Sequence, residues 1–96
     1  MGTVLESVRA ARTRLLAAAE ARGLTDVRVF GSVARGEEHP ESDIDLLVHP
    51  STTNSIFDLA GFMAGAEELL GTKTDVVSDR GTGQIMDRIR AEAIPL

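Results

Sequence analysis

Short strand-like runs alternate with helical stripes along this chain, and that alternation restricts its 96 residues to a single α/β domain. Thr3 and Glu6 have the spacing of a capping box, and Val4, Val8, Ala11, Leu15 and Ala18 follow at helical intervals until Gly23 supplies a stop. An Arg- and Ala-rich start can also mark an organelle-targeting segment. Here the cap and the stripe predict a structural helix that packs one face onto the domain, so no targeting segment is expected. Val27–Phe30 reads as a first strand ended by Gly31, Ser32–Gly36 as a tight turn or one-turn helix, and Glu37–Ser42 as a polar loop. Ile44, Leu46 and Val48 mark a second strand closed by Pro50. After a loop over Ser51–Ser55, Ser55 can cap a helix in which Ile56, Leu59, Ala60, Met63, Ala66 and Leu70 share one face before Gly71. Thr74–Val77 reads as the third strand. A break at Gly81–Gly83 precedes a last helix with Ile85, Met86 and Ile89 as its stripe, and Met63 and Met86 are expected in the core. The expected architecture is a small mixed three-stranded sheet flanked by helices.

Composition narrows the class of function. The absence of Cys removes disulfide scaffolds, thiol nucleophiles and thiolate zinc sites. No apolar run approaches the ~20 residues that a membrane span needs. A net charge of −5 and only three aromatics, Phe30, Phe57 and Phe62, argue against a domain that covers nucleic-acid backbone or stacks bases. The expectation is a soluble cytoplasmic domain with no membrane and no direct nucleic-acid partner. Its charge is unevenly placed, with a local −4 over residues 25–50 and +2 over residues 1–24.

The chemistry gathers where the first strand ends and the second begins. Asp43 and Asp45 are two residues apart on the predicted second strand, so both carboxylates point to one face and Ile44 and Leu46 to the other. Two adjacent carboxylates repel, and a hard divalent cation, Mg2+ or Mn2+, is the natural way to hold both ionised. Asp75 on the third strand is placed to add a third acid; Asp79 competes for that role but reads better as a turn residue. Gly31 and Ser32 end the first strand with a close-approach backbone and a hydroxyl, both suited to phosphate oxygens. A phosphate cradle beside a carboxylate cluster suits in-line displacement at the α-phosphate of a nucleoside triphosphate.

Gly31-Ser32, ten intervening residues and then Asp43-Ile-Asp45 resembles the G-S-x10-D-x-D signature of the DNA polymerase beta-like nucleotidyltransferase superfamily. The longer string FGSVARGEEHPESDIDLLV, residues 30–48, resembles the minimal nucleotidyltransferases of that superfamily. The resemblance implies that Asp43 and Asp45 are metal ligands and that Asp75 is the third acid that helps to activate the acceptor. It implies that Gly31 and Ser32 bind the triphosphate, with Arg35 steadying phosphate oxygens. Larger members of the superfamily bring further domains for the acceptor, and minimal ones are commonly paired with a HEPN-domain ribonuclease toxin. The implied reaction is transfer of AMP from ATP to a tyrosine hydroxyl of that toxin, which makes the chain an antitoxin. An inactive antitoxin that neutralises its partner by binding alone is the alternative.

The remaining polar residues read as structural. His39 and His49 lack an evident partner, Ser42 can bond locally to the backbone, and Glu37, Glu38 and Glu41 suit a solvated loop face. The apolar faces of short helices leave self-association open.

Overall fold

The computed structural model describes residues 3–37 and 43–96. The readings placed on Glu38, His39, Glu41 and Ser42 lie outside the described residues. Along the chain run α1 (Val4–Ala10), α2 (Arg12–Glu20), β1 (Leu24–Phe30), α3 (Gly31–Arg35), β2 (Ile44–Pro50), α4 (Ile56–Leu70), β3 (Thr74–Ser78), α5 (Gln84–Glu92) and β4 (Ile94–Pro95). The strands form one mixed sheet in the order β3-β2-β1-β4. β2 lies antiparallel to β1 and parallel to β3, the latter connected through α4.

Val27 and Val29 from β1, and Ile44, Leu46 and Val48 from β2, pack on one sheet face against Val8, Leu15, Ala19, Phe62 and Ala66 from the helices. The first helix begins with the expected box: the Glu6 amide donates to Thr3 Oγ1 at 3.1 Å, and the Thr3 amide to Glu6 Oε2 at 3.2 Å. It is not continuous, however. The Ala11 amide is shared between the carbonyls of Ser7 and Val8, which tightens the turn and divides the segment into α1 and α2.

Helix α4 corrects the expected face. Phe62 and Ala66 are buried, with Leu59 and Leu70 packed beside them, whereas Ile56 is 75% exposed and Ala60 is exposed. The helix is apolar on more than one side, so periodicity alone left its rotation open. Turning Phe62 inward buries a larger apolar surface than Ile56 and Ala60 offer. Met63 instead lines a shallow apolar groove with Ile56, Leu59, Ala60 and Val76. In the last helix, Met86 and Ile89 are half-buried and Ile85 is exposed.

The fourth strand was not expected. Ile94 and Pro95 pair with Val29 and Arg28, and the Leu96 amide donates to the Val27 carbonyl at 3.1 Å. Two residues carry no alternation to read, and proline fits a sheet only at an edge such as this one. This edge strand anchors the C-terminal end of α5 beside β1, which matters for the site.

Candidate active site

Register brings the acids together. Phe30, the last residue of β1, lies opposite Asp45, and Asp45 lies opposite Asp75 on the parallel strand β3. In neighbouring strands the paired side chains share a face, so Asp45 and Asp75 stand side by side on the face opposite Leu46. Asp43, expected on the second strand, immediately precedes β2, and its Oδ2 lies 3.8 Å from Lys73 Nζ, an exposed pairing that holds the lysine loosely.

Gly31 follows Phe30 with φ at +77°, a conformation that L side chains resist. A Cβ there would collide with Asp45 Oδ2 and lie 3.2 Å from Asp45 Cγ. Backbone and carboxylate are thus stacked without an intervening side chain, and only glycine permits it. Ser32 is the second residue of α3 and is half-buried. Arg35 closes the same helix.

The electrostatics identify Asp45 as the centre of the group. Burial pushes its carboxyl above the ordinary carboxylate range, and the negative charges of Asp75 and Asp43 push it further, against a smaller opposing pull from Arg35. A half-buried carboxylate flanked by two others is short of positive charge. Among the described residues no group of three or more His, Asp or Glu side chains already closes into a metal cage. The chemistry of the available donors nevertheless fits a hard divalent ion: Asp45 and Asp75 stand in register with Asp43 two residues away, all three offer carboxylate oxygens, and added positive charge would relieve Asp45.

One residue beside the candidate site carried no reading in the sequence. The Glu92 carboxylate accepts the Gly31 amide at 3.0 Å and receives Arg35 Nη1 on both oxygens at 3.1 and 3.2 Å. Arg35 also reaches Glu37 through Nε at 3.0 Å. Glu92 is the final residue of α5, where the helix dipole disfavours an anion; that placement was the available signal.

Asp79 stands apart from the acid group. It lies beyond β3, four residues and about 13 Å along the strand direction from Asp75. Its carboxylate binds Arg28 Nη2 at 3.1 Å and His49 Nδ1 at 2.9 Å. A bulge in β1, with Asp26 in the left-handed region at φ 51°, brings Asp26 to Arg28 as well, at 3.3 Å. His49 therefore has an oriented partner, but far from the acid cluster.

A mixed sheet that sets the Gly31-Ser32 turn against strand carboxylates matches the nucleotidyltransferase architecture that the sequence resembles. The sequence profile of the nucleotidyltransferase domain family matches residues 12–94, and the chain belongs to that family. It is 34% identical over 73 residues to the protein adenylyltransferase MntA of Thermococcus cleftensis, covering 76% of this chain and 72% of that one. It is 37% identical over 73 residues to a candidate protein adenylyltransferase of Methanocaldococcus jannaschii, covering 75% and 78% of the two chains. A solved structure described as a candidate minimal nucleotidyltransferase superposes with a TM-score of 0.84 at 43% identity, over 96% of this chain and 95% of that one. A toxin–antitoxin structure with AMP-PNP shares the fold at 19% identity, with a TM-score of 0.73 over 86% and 69%. The chain is a transferase enzyme. No helix among the described residues is long and apolar enough to cross a membrane.

Proposed function

We propose that this chain transfers AMP from ATP to a hydroxyl of a partner protein, a tyrosine of a HEPN ribonuclease toxin, and so acts as its antitoxin. Asp45 carries the proposal: a half-buried carboxylate stacked on the Gly31 backbone, in register with Asp75 and within the field of Asp43. Gly31, Ser32 and Arg35 would take the phosphate oxygens. Asp43, Asp45 and Asp75 would hold Mg2+ or Mn2+, which when bound polarises the α-phosphate and offsets the charge of the leaving group. The acceptor oxygen attacks the α-phosphorus as the bond to the bridging β-phosphate oxygen breaks, releasing pyrophosphate. The hydroxyl proton passes to the Asp75 carboxylate, the acid on the edge strand. Because β3 is at the sheet edge, an acceptor on another chain reaches Asp75 without crossing a further strand. The relatives named as protein adenylyltransferases support a protein acceptor. The shared fold of a toxin–antitoxin complex fits a toxin as that protein.

The test is incubation with labelled ATP, magnesium and the co-expressed toxin, followed by intact-mass measurement. An AMP-sized shift on a toxin tyrosine, lost in Asp43→Ala together with neutralisation, is the expected result. Neutralisation that persists in Asp43→Ala without any mass shift would instead identify an antitoxin acting by binding alone.

A further inference from the structure

The two groups best suited to grip a phosphate, the Gly31 amide and the Arg35 guanidinium, both hold the same carboxylate. We propose that Glu92 is a built-in occupant of the phosphate seat, competing with the triphosphate for these two donors and swinging out when the nucleotide enters. The inference rests on the nucleotide-binding reading of the site and names the regulator of that site.

The geometry is that of a phosphate surrogate. One oxygen of Glu92 accepts a backbone amide at 3.0 Å, and the pair of oxygens faces Arg35 Nη1 at 3.1 and 3.2 Å. Two oxygens of a phosphate group would present the same acceptors to the same donors. The contact is built into the fold. Glu92 ends α5, and two residues later Ile94 pairs with Val29, while Arg12 Nε donates to the Leu96 carbonyl at 2.6 Å. The backbone on both sides is thus held, and release requires only rotation of a glutamate side chain that is 21% exposed. Glu92 also adds to the negative field at Asp45. Its carboxylate therefore opposes an anionic ligand by occupancy and by charge together, and both effects have the same sign. Glu37 is the control for the Gly31 amide. It pairs with Arg35 Nε at 3.0 Å, whereas the Gly31 amide donates to Glu92.

The test measures AMP-PNP affinity with magnesium by calorimetry for the full chain, Glu92→Gln, Glu92→Ala and Glu37→Gln. Thermal unfolding of each variant confirms that it is folded. Losing a charge-assisted competitor tightens binding by roughly tenfold in both Glu92 variants, and clearly less in Glu37→Gln. The Gly31 amide resonance supplies a second measurement. It differs between wild type and Glu92→Ala without nucleotide and converges on one position at saturation, since the same phosphate oxygen then accepts it in both. Unchanged or weaker binding in the Glu92 variants, or gains matched by Glu37→Gln, would overturn the inference, as would a wild-type Gly31 resonance that nucleotide leaves in place. If neither wild type nor any variant binds AMP-PNP, the nucleotide reading itself fails and the inference falls with it.

Discussion

Replacing Gly31 with Ala tests whether the stacking of strand-end backbone on Asp45 is real. The alanine must hold φ near +77°, which costs about 1–2 kcal/mol for a residue with a Cβ. The new methyl also meets Asp45 Oδ2, with Cγ at 3.2 Å and Cβ at 3.4 Å behind it. Relief requires turning the Asp45 side chain away, at about another 1 kcal/mol in rotamer and packing energy. The expected loss is about 2–3 kcal/mol, or roughly 10–20 °C in Tm for a domain of this size. The two contributions separate in a double-mutant cycle read by urea unfolding. In an Asp45→Ala background the collision is gone, and Gly31→Ala should cost only the backbone share of about 1–2 kcal/mol. Equal costs in the two backgrounds would refute the close approach and leave glycine there for backbone reasons alone.

Two further outcomes follow from the charges. Asp79→Ala leaves the part-buried Arg28 guanidinium with only the more exposed Asp26, and Arg28 Nε already lacks a partner, so stability should fall by about 2–3 kcal/mol in urea unfolding. AMP transfer per folded molecule should stay at the wild-type level, and a loss comparable to that of Asp75→Ala would restore Asp79 as a site acid. For Asp45 the folded carboxyl titrates above its ordinary 3.8, so its contribution to stability is fully present below that value and is lost as pH rises through the raised one. Asp45→Asn should therefore be more stable than wild type at neutral pH, with the gain shrinking toward about pH 4. A gain independent of pH would contradict the assignment.

The sequence was most legible where one residue type has one use. The capping box at Thr3, the cap at Ser55 and the strand centres stand where periodicity and turn chemistry put them. Asp75 was legible from its place on the strand that follows the long helix, and parallel pairing of that strand with β2 sets it opposite Asp45. Three features were not. The rotation of α4 depends on which of several apolar residues finds the deepest pocket, and Phe62 wins by size rather than by spacing. β4 is too short to have a period. Glu92 reaches Gly31 across 61 positions, and no local pattern encodes a contact at that separation. Its one trace, an acid at a helix C-terminus, is visible only once the helix end is known.

The balance of charge around the motif has a consequence for how a nucleotide binds at all. Asp43, Asp45, Asp75, Glu37 and Glu92 face Arg35 and Lys73, and Arg35 is already engaged by two of those acids. A triphosphate brings several more negative charges to this end of the sheet. At an effective dielectric near 20, each like-charge pair about 5 Å apart opposes binding by roughly 3 kcal/mol, and one shared guanidinium can offset only about one such pair. On the proposed reading, binding, and not only the transfer step, should therefore depend on a divalent cation, which Asp43, Asp45 and Asp75 would hold. Calorimetry with AMP-PNP should show magnesium-dependent binding that EDTA abolishes. The triple variant Asp43→Asn, Asp45→Asn, Asp75→Asn should gain weak binding that EDTA does not affect, because the amides remove the repulsion along with the metal ligands. Wild-type affinity that survives EDTA would show that the carboxylates do not face the triphosphate, and would separate the acid cluster from the nucleotide site.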